Sequence, residues 1–176
     1  MRNNIFSNNF NFCLPRQCEC KPNCRNRHQL QFFSAKNNCC CKKNIGIQAS
    51  LSNTASQIVE NTEAIVFDTI VNQVGDGITY NNQTGDFTLI KPGNYKIDWQ
   101  VIVDGANTTR YVNFGITLDD ILQTNIPLPI TTGLASGSSI IKTTRSNTIL
   151  QLINNTTDSV RLSRHLPNAN IVITSL

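Results

Sequence analysis

The sequence predicts an all-β sandwich of about eight to ten short antiparallel strands, preceded by an irregular, cysteine-rich arm. Three observations predict it. From Tyr95 the residues alternate, with Tyr95, Ile97, Trp99, Val101 and Val103 on one face and Lys96, Asp98 and Gln100 on the other. A period of two belongs to a strand with one buried and one wet face. Short apolar stretches of this kind recur from residue 64 onward, separated by Gly, Pro, Asn and Asp, and no window shows a 3.6-residue period. All seven cysteines lie within the first 41 of 176 residues, so disulfides cannot staple the β-region.

The arm comes first, residues 1–48. Its apolar residues (Phe6, Phe10, Phe12, Leu14, Leu30, Phe32, Phe33) are few and aperiodic, too little for a core of its own. It carries eight Lys/Arg against one Glu, a net +7, whereas residues 49–176 carry seven Lys/Arg against ten Asp/Glu, a net −3. Opposite signs let the arm of one molecule attract the domain of the next. No nucleic-acid motif accompanies the basic charge, so nucleic acid is not an expected partner.

Cys13, Cys18, Cys20, Cys24, Cys39, Cys40 and Cys41 are the candidate anchoring residues. Three readings stand open. Seven is odd, so at least one thiol has no partner within the chain and is free for another molecule. Neighbouring cysteines do not easily bond to one another, so Cys39, Cys40 and Cys41 favour different partners. The second reading is a zinc site on Cys18-x-Cys20-x3-Cys24 with His28, but the paired knuckles of zinc modules are missing and no metal is expected. The third is an intrachain disulfide knot with one spare thiol. Arg25, Arg27, Lys42 and Lys43 flank the cysteines, and cations favour the thiolate. In a reducing cytoplasm the thiols stay reduced until the surroundings turn oxidising.

Residues 44–53 read as a polar connection into the domain, residues 49–176. Residues 64–69 (AIVFDT) read as its first strand, with Ile65 and Phe67 on one face, and 72–77 as a turn marked by Asp76-Gly77. After a short strand at 78–80, Phe87 and Leu89 alternate ahead of Pro92-Gly93, whose preset φ and tolerance of positive φ suit a turn. Residues 80–103 therefore read as a hairpin. A loop at 104–107 leads to a strand at 111–118, with Val112, Phe114, Ile116 and Leu118 inward and Asn113 and Thr117 outward. Asp119-Asp120 turns the chain, and 121–124 follows. Pro127 and Pro129 exclude a central strand, so 126–137 reads as a loop or an edge. Strands at 138–143 and 148–153 flank a turn at 145–147. A turn at 154–158, a strand at 159–164, a loop at 166–168 and a closing strand at 171–174 complete the chain. Residues 149–153 and 171–173 are apolar on both faces, so the second face needs cover that a neighbouring subunit would supply.

Gly85, Phe87 and Thr88, then Pro92, Gly93 and Tyr95, then the alternating row from Tyr95, together resemble the jelly roll of the tumour-necrosis-factor and complement globular-head superfamily. Within it the chain is most similar to the C-terminal domains of collagen-like exosporium glycoproteins of bacterial spores. The stretches SNTILQLINN (146–155) and IVITSL (171–176) agree, and the resemblance spans roughly the last two-thirds of the chain. No collagen repeat is present. The resemblance implies jelly-roll topology and a homotrimer with inner sheets packed about a threefold axis. It further implies a structural protein of the spore surface, in the exosporium or a spore appendage. Such a protein is made in the mother-cell cytoplasm without a signal peptide. Residues 1–48 would then anchor or cross-link the trimer through disulfides to other spore-surface proteins or to the next subunit of a fibre. A second reading is a trimeric adhesin or lectin-like module that meets its ligand through loops 104–109 and 126–137.

Nothing in the sequence assembles a catalytic arrangement, and neither enzyme activity nor a cofactor is expected. Gly133-Leu-Ala-Ser136-Gly137 has its serine misplaced for a nucleophile elbow. His165 lacks an orienting carboxylate nearby in sequence. Asp119-Asp120 offers two oxygen donors where calcium takes six or more, so a plain turn is the simpler reading. Asn82, Asn107 and Asn154 begin glycosylation-type triplets, as abundant Asn and Thr would produce by composition alone. No apolar run approaches the ~20 residues of a membrane span, and the first residues lack the apolar stretch of a signal peptide. A membrane is not an expected partner.

Overall fold

The computed structural model describes residues 44–52, 57–106, 111–128, 133–164 and 167–176. Twelve strands in the described residues form two antiparallel sheets, with no helix among them. The first sheet runs β2 (Ile58–Val59), β11 (Val160–Leu162), β6 (Gly93–Ala106), β12 (Ala169–Ser175), β1 (Gly46–Leu51) and β3 (Thr69–Val74), and β9 (Gly133–Thr143) also pairs with β6. The second runs β4 (Ile78–Asn81), β5 (Asp86–Leu89), β10 (Thr148–Asn154), β7 (Val112–Leu118) and β8 (Ile121–Leu128). This is the all-β, two-sheet jelly roll that the sequence leads one to expect.

The core lies between the sheets and is filled by the alternating rows. Tyr95, Ile97, Trp99, Val101 and Val103 of β6 are all buried. Opposite them stand Phe87 and Leu89 of β5, Leu150 and Leu152 of β10, and Val112, Phe114 and Ile116 of β7. The Trp99 ring meets Phe114 edge-on at 5.8 Å, and Phe67 meets Phe87 in the same manner at 5.9 Å. Such pairs add to the stabilisation from area alone. Asp119 and Asp120 form the β7–β8 turn with φ of 47° and 66°. Two consecutive left-handed residues give a turn whose twist suits a hairpin.

The structure revises several sequence-based expectations. Residues 80–103 are not one hairpin. β5 pairs with β4 and β10, whereas β6 pairs with β12, β9 and β11, so residues 90–92 carry the chain from one sheet to the other. Alternation reports a buried face; it is silent on which strand completes the main-chain hydrogen bonds. The actual hairpin is β4–β5, turning through Gly85 at φ 79°. There an added Cβ would stand 2.8 Å from the Ile65 carbonyl oxygen.

Residues 44–53 are not merely a connection. β1 places Ile47, Ala49 and Leu51 in the core and pairs along its length with β12. Its small and amide residues mask the alternation. The compact unit accordingly begins at Asn44, and β1 straddles the 48/49 boundary. Residues 64–68 are not a regular strand. They run beside the end of β10, with Ile65 N–H donating to the Leu152 carbonyl at 2.8 Å and Ala64 bridged to Ile153. Ile65 and Phe67 are buried nonetheless. β3 then runs on to Val74, shortening the turn to residues 75–77, with Gly75 at φ 72°.

Residues 126–137 divide between two strands. β8 continues through Pro127 to Leu128 as the last strand of its sheet, the edge position a proline tolerates. β9 begins already at Gly133 and pairs with β6 over eleven residues. Gly137 sits inside it because a Cβ there would lie 2.6 Å from the Trp99 ring. Asn113 and Thr117 of β7 are buried rather than wet. The Asn113 N–H donates to the Thr156 hydroxyl at 2.9 Å, so the chain beyond β10 covers that outer side. Ile153 is likewise buried within the single chain.

Tyr80 ties the 64–68 segment to β4. Its hydroxyl accepts from the Phe67 N–H at 2.6 Å and donates to the Phe67 carbonyl at 2.9 Å. Burial pushes its pKa up from 10.0 to about 12. The folded state thus holds the proton that the unfolded state releases first. This contribution to stability is complete below pH 10, the unfolded value, and is lost as pH rises through about 12. Urea unfolding measured from pH 9 to 12 is expected to show that decline in the parent and a smaller one in Tyr80→Phe. The same variant should lose about 1–2 kcal/mol at neutral pH through the unpaired Phe67 groups.

Candidate functional site

The outer face of the seven-stranded sheet is the most extended surface on which cross-strand register can be followed. Three rows cross β1, β12, β6 and β9 in turn: Gly46, Thr174, Lys96 and Ile140; Gln48, Val172, Asp98 and Ser138; Ser50, Asn170, Gln100 and Ser136. A fourth pair, Ile102 and Leu134, extends it along β6 and β9. These positions alternate with the core-facing residues of the same strands, and that alternation places them outward, although Ser50 is covered and buried there.

The chemistry of the face is mixed. Ile140 and Leu134 are 68 % and 56 % exposed, and Val172 and Ile102 are half-buried. Around them stand hydroxyl and amide side chains. The ionic content is small: Lys96 pairs with Asp98 at 2.9 Å, and Lys142 lies at one end. The Ser138 hydroxyl donates to Asp98 at 2.6 Å, and that bond, with Lys96 beside it, holds the Asp98 carboxyl below its ordinary pKa. Two shallow depressions mark the face. One, of about 250 Å³, lies over Gly46 between Gln48, Asn72, Val74, Val172 and Thr174. The other, of about 150 Å³, lies between Asp98, Gln100, Ser136, Asn170 and Val172. A surface of this kind can cover a second protein surface with few charges to desolvate. The sequence does not reveal its outer columns, because β1 reads as a connection and the start of β9 as a loop or an edge. The signal was present in Leu134, Ser136, Ser138 and Ile140, alternating with Ala135, Gly137, Ser139 and Ile141.

The other candidates are placed as follows. All seven cysteines, His28 and His165 lie outside the described residues. Residues 107–109 of the first expected loop and 129–132 of the second lie outside them too, whereas 104–106 are the end of β6. Ser136 is a strand residue of the outer face. Asp119 is structural: one carboxylate oxygen accepts the Ile149 N–H at 2.9 Å and the other pairs with Arg145. Among the described residues, no three His, Cys, Asp or Glu side chains come together as a metal would require. Asn154 is fully buried, and its amide donates to the Val59 and Asp158 carbonyls, each at 2.9 Å. That triplet is closed to modification in the folded chain, whereas Asn82 stands on an exposed turn.

No protein-family model matches the sequence, and no curated protein matches it. Solved structures do match in shape. The crystal structure of murine APRIL at pH 8.0 superposes with a TM-score of 0.59 at 10 % identity, covering 76 % of this chain and 100 % of that one. The Eiger TNF from S. frugiperda gives 0.55 at 12 % identity, over 77 % and 94 % of the two chains. Pika GITRL gives 0.51 at 11 % identity, over 77 % and 97 %. At such identities the likeness is one of architecture, and residues 44–176 of this chain fold as a jelly roll of the tumour-necrosis-factor kind.

Proposed function

We propose that the chain is a structural protein of the bacterial spore surface. Its jelly roll assembles as a homotrimer, and its cysteine-rich arm anchors the trimer by disulfides. The arm links to other surface proteins or to the next subunit of a fibre. The observation that carries this reading is the segregation of sulfur: seven cysteines in residues 13–41 and none in the folded unit from Asn44. A domain without cysteine offers the arm no disulfide partner, and an odd number leaves at least one thiol for another molecule. Each bond forms as two thiols give two electrons and two protons to dioxygen or to a partner disulfide. The sparsely charged outer face of the seven-stranded sheet supports the trimer, as does the resemblance to spore glycoproteins.

Native material run on non-reducing gels should give a ladder of covalent multimers that collapses to one band with a thiol reductant. With reductant present, sedimentation should still report a particle of three chains. Monomer alone on the non-reducing gel would end the cross-linking reading. A single-chain mass under reduction would end the trimer.

A further inference from the structure

β3 is the last strand of its sheet, and among the described residues only its β1 side is paired. All six of its residues, TIVNQV, are exposed, including Ile70, Val71 and Val74 at 42 %, 54 % and 48 %. Four are β-branched, and none is charged, proline or glycine. Free edges invite strand addition, and proteins usually blunt them with short strands, lysine or proline. The other edges here are blunted: β2 has two residues, β4 has four, β8 carries Pro127 and β9 carries Lys142. The one irregularity of β3 is a bulge at Val71, which has no partner in β1.

The ends of this edge carry charge. Asp68 precedes it and Asp76 follows it; both are exposed, and neither forms an ion pair among the described residues. Pairing β3 with β3 of a second copy would set Asp68 of each near Asp76 of the other, at both ends, with like charges adjacent. The arm contains the complement. Residues 29–34, QLQFFS, are uncharged, and Gln29 and Gln31 alternate with Leu30 and Phe32. Arg27 and Lys36 bracket them. Laid antiparallel along β3, this segment brings Arg27 toward Asp76 and Lys36 toward Asp68.

We infer that the free edge of β3 is a docking site for residues 29–34 of the arm of a neighbouring molecule. The source in a neighbour rests on the linking role proposed for the arm; the edge and the bracketing charges do not. Main-chain hydrogen bonds supply the attachment, and the charges set direction and register. Docking needs no oxidant, so it would place molecules side by side before any thiol reacts.

The test uses the full-length chain with all seven cysteines changed to serine, so that disulfides play no part. At high protein concentration the amides of residues 69–74 should exchange on the order of tenfold or more slowly than after dilution. Leu30→Asp with Phe32→Asp should abolish that protection, and Val71→Pro should abolish the larger assemblies while leaving the β-sheet circular dichroism intact. Arg27→Glu with Lys36→Glu should weaken docking, and Asp68→Lys with Asp76→Lys in the same chain should restore it. Exchange that ignores both concentration and the arm substitutions would overturn the inference. So would protection that survives every dilution, which places the segment on its own domain. A covalent ladder in the parent with an unprotected edge sinks docking alone. A protected edge without a ladder sinks the cross-linking reading and leaves docking standing.

Discussion

Trp99→Ala is expected to destabilise the domain by about 3–5 kcal/mol, the range for truncating a buried aromatic residue. Trp99 occupies the middle of the β6 row, only 4 % exposed. Its ring closes the core against Phe114 and lies over Gly137, which is bare of a side chain to admit it. Truncation therefore leaves a void between β6 and β7, strands that are each hydrogen-bonded on both sides, so the site cannot collapse cheaply. Urea unfolding followed by far-ultraviolet circular dichroism measures the loss, since the only tryptophan is removed. A change below about 1 kcal/mol would mean that the core is far more plastic than this geometry implies. The reciprocal substitution, Gly137→Val, should also destabilise, through overpacking rather than a void.

Asn154→Ala should cost a comparable amount, about 3–5 kcal/mol, although no apolar core is touched. The side chain makes three hydrogen bonds in a site closed to water: two donated to the Val59 and Asp158 carbonyls, and one accepted from the Thr156 N–H at 2.8 Å. Thr156 in turn serves Asn113 of β7. One amide thus ties β2, the turn after β10 and the outer side of β7. Removing it withdraws a partner from two buried main-chain groups and one part-buried one, at about 1–3 kcal/mol for each buried group before relaxation. Asn82→Ala, in a sequence triplet of the same kind, should change stability by less than about 0.5 kcal/mol. Melting the two variants beside the parent separates a structural amide from a surface one.

The two asparagines mark the limit of what a sequence conveys here. Asn82-Gln-Thr and Asn154-Asn-Thr look alike as strings, yet one sits on an exposed turn and the other at the centre of a buried network. The candidate interaction face was half legible. Lys96, Asp98 and Gln100 read outward from the β6 alternation and lie outward. Gln48 and Ser50, which complete the same rows, fall in a stretch that reads as a connection, and Leu134 and Ser136 in one that reads as a loop or an edge, because small and amide residues give a weak alternation signal. The second half of β3 reads as turn because Asp76-Gly77 is strong local punctuation, and its edge position is a property of pairing alone.

By itself the sequence determined the class of the fold and the polarity of its strands. Period-two alternation is a local consequence of backbone geometry, so the buried rows of β5, β6 and β7 can be named residue by residue. It also determined that the cysteines and the alternating apolar rows occupy different parts of the chain. The tertiary structure decided which strands are neighbours. β5 and β6 are adjacent in sequence and lie in different sheets, while β6 joins β12 some seventy residues away. Strand pairing is a contest among distant hydrogen-bonding partners, settled by burial of both sheets at once, and no local pattern records its outcome.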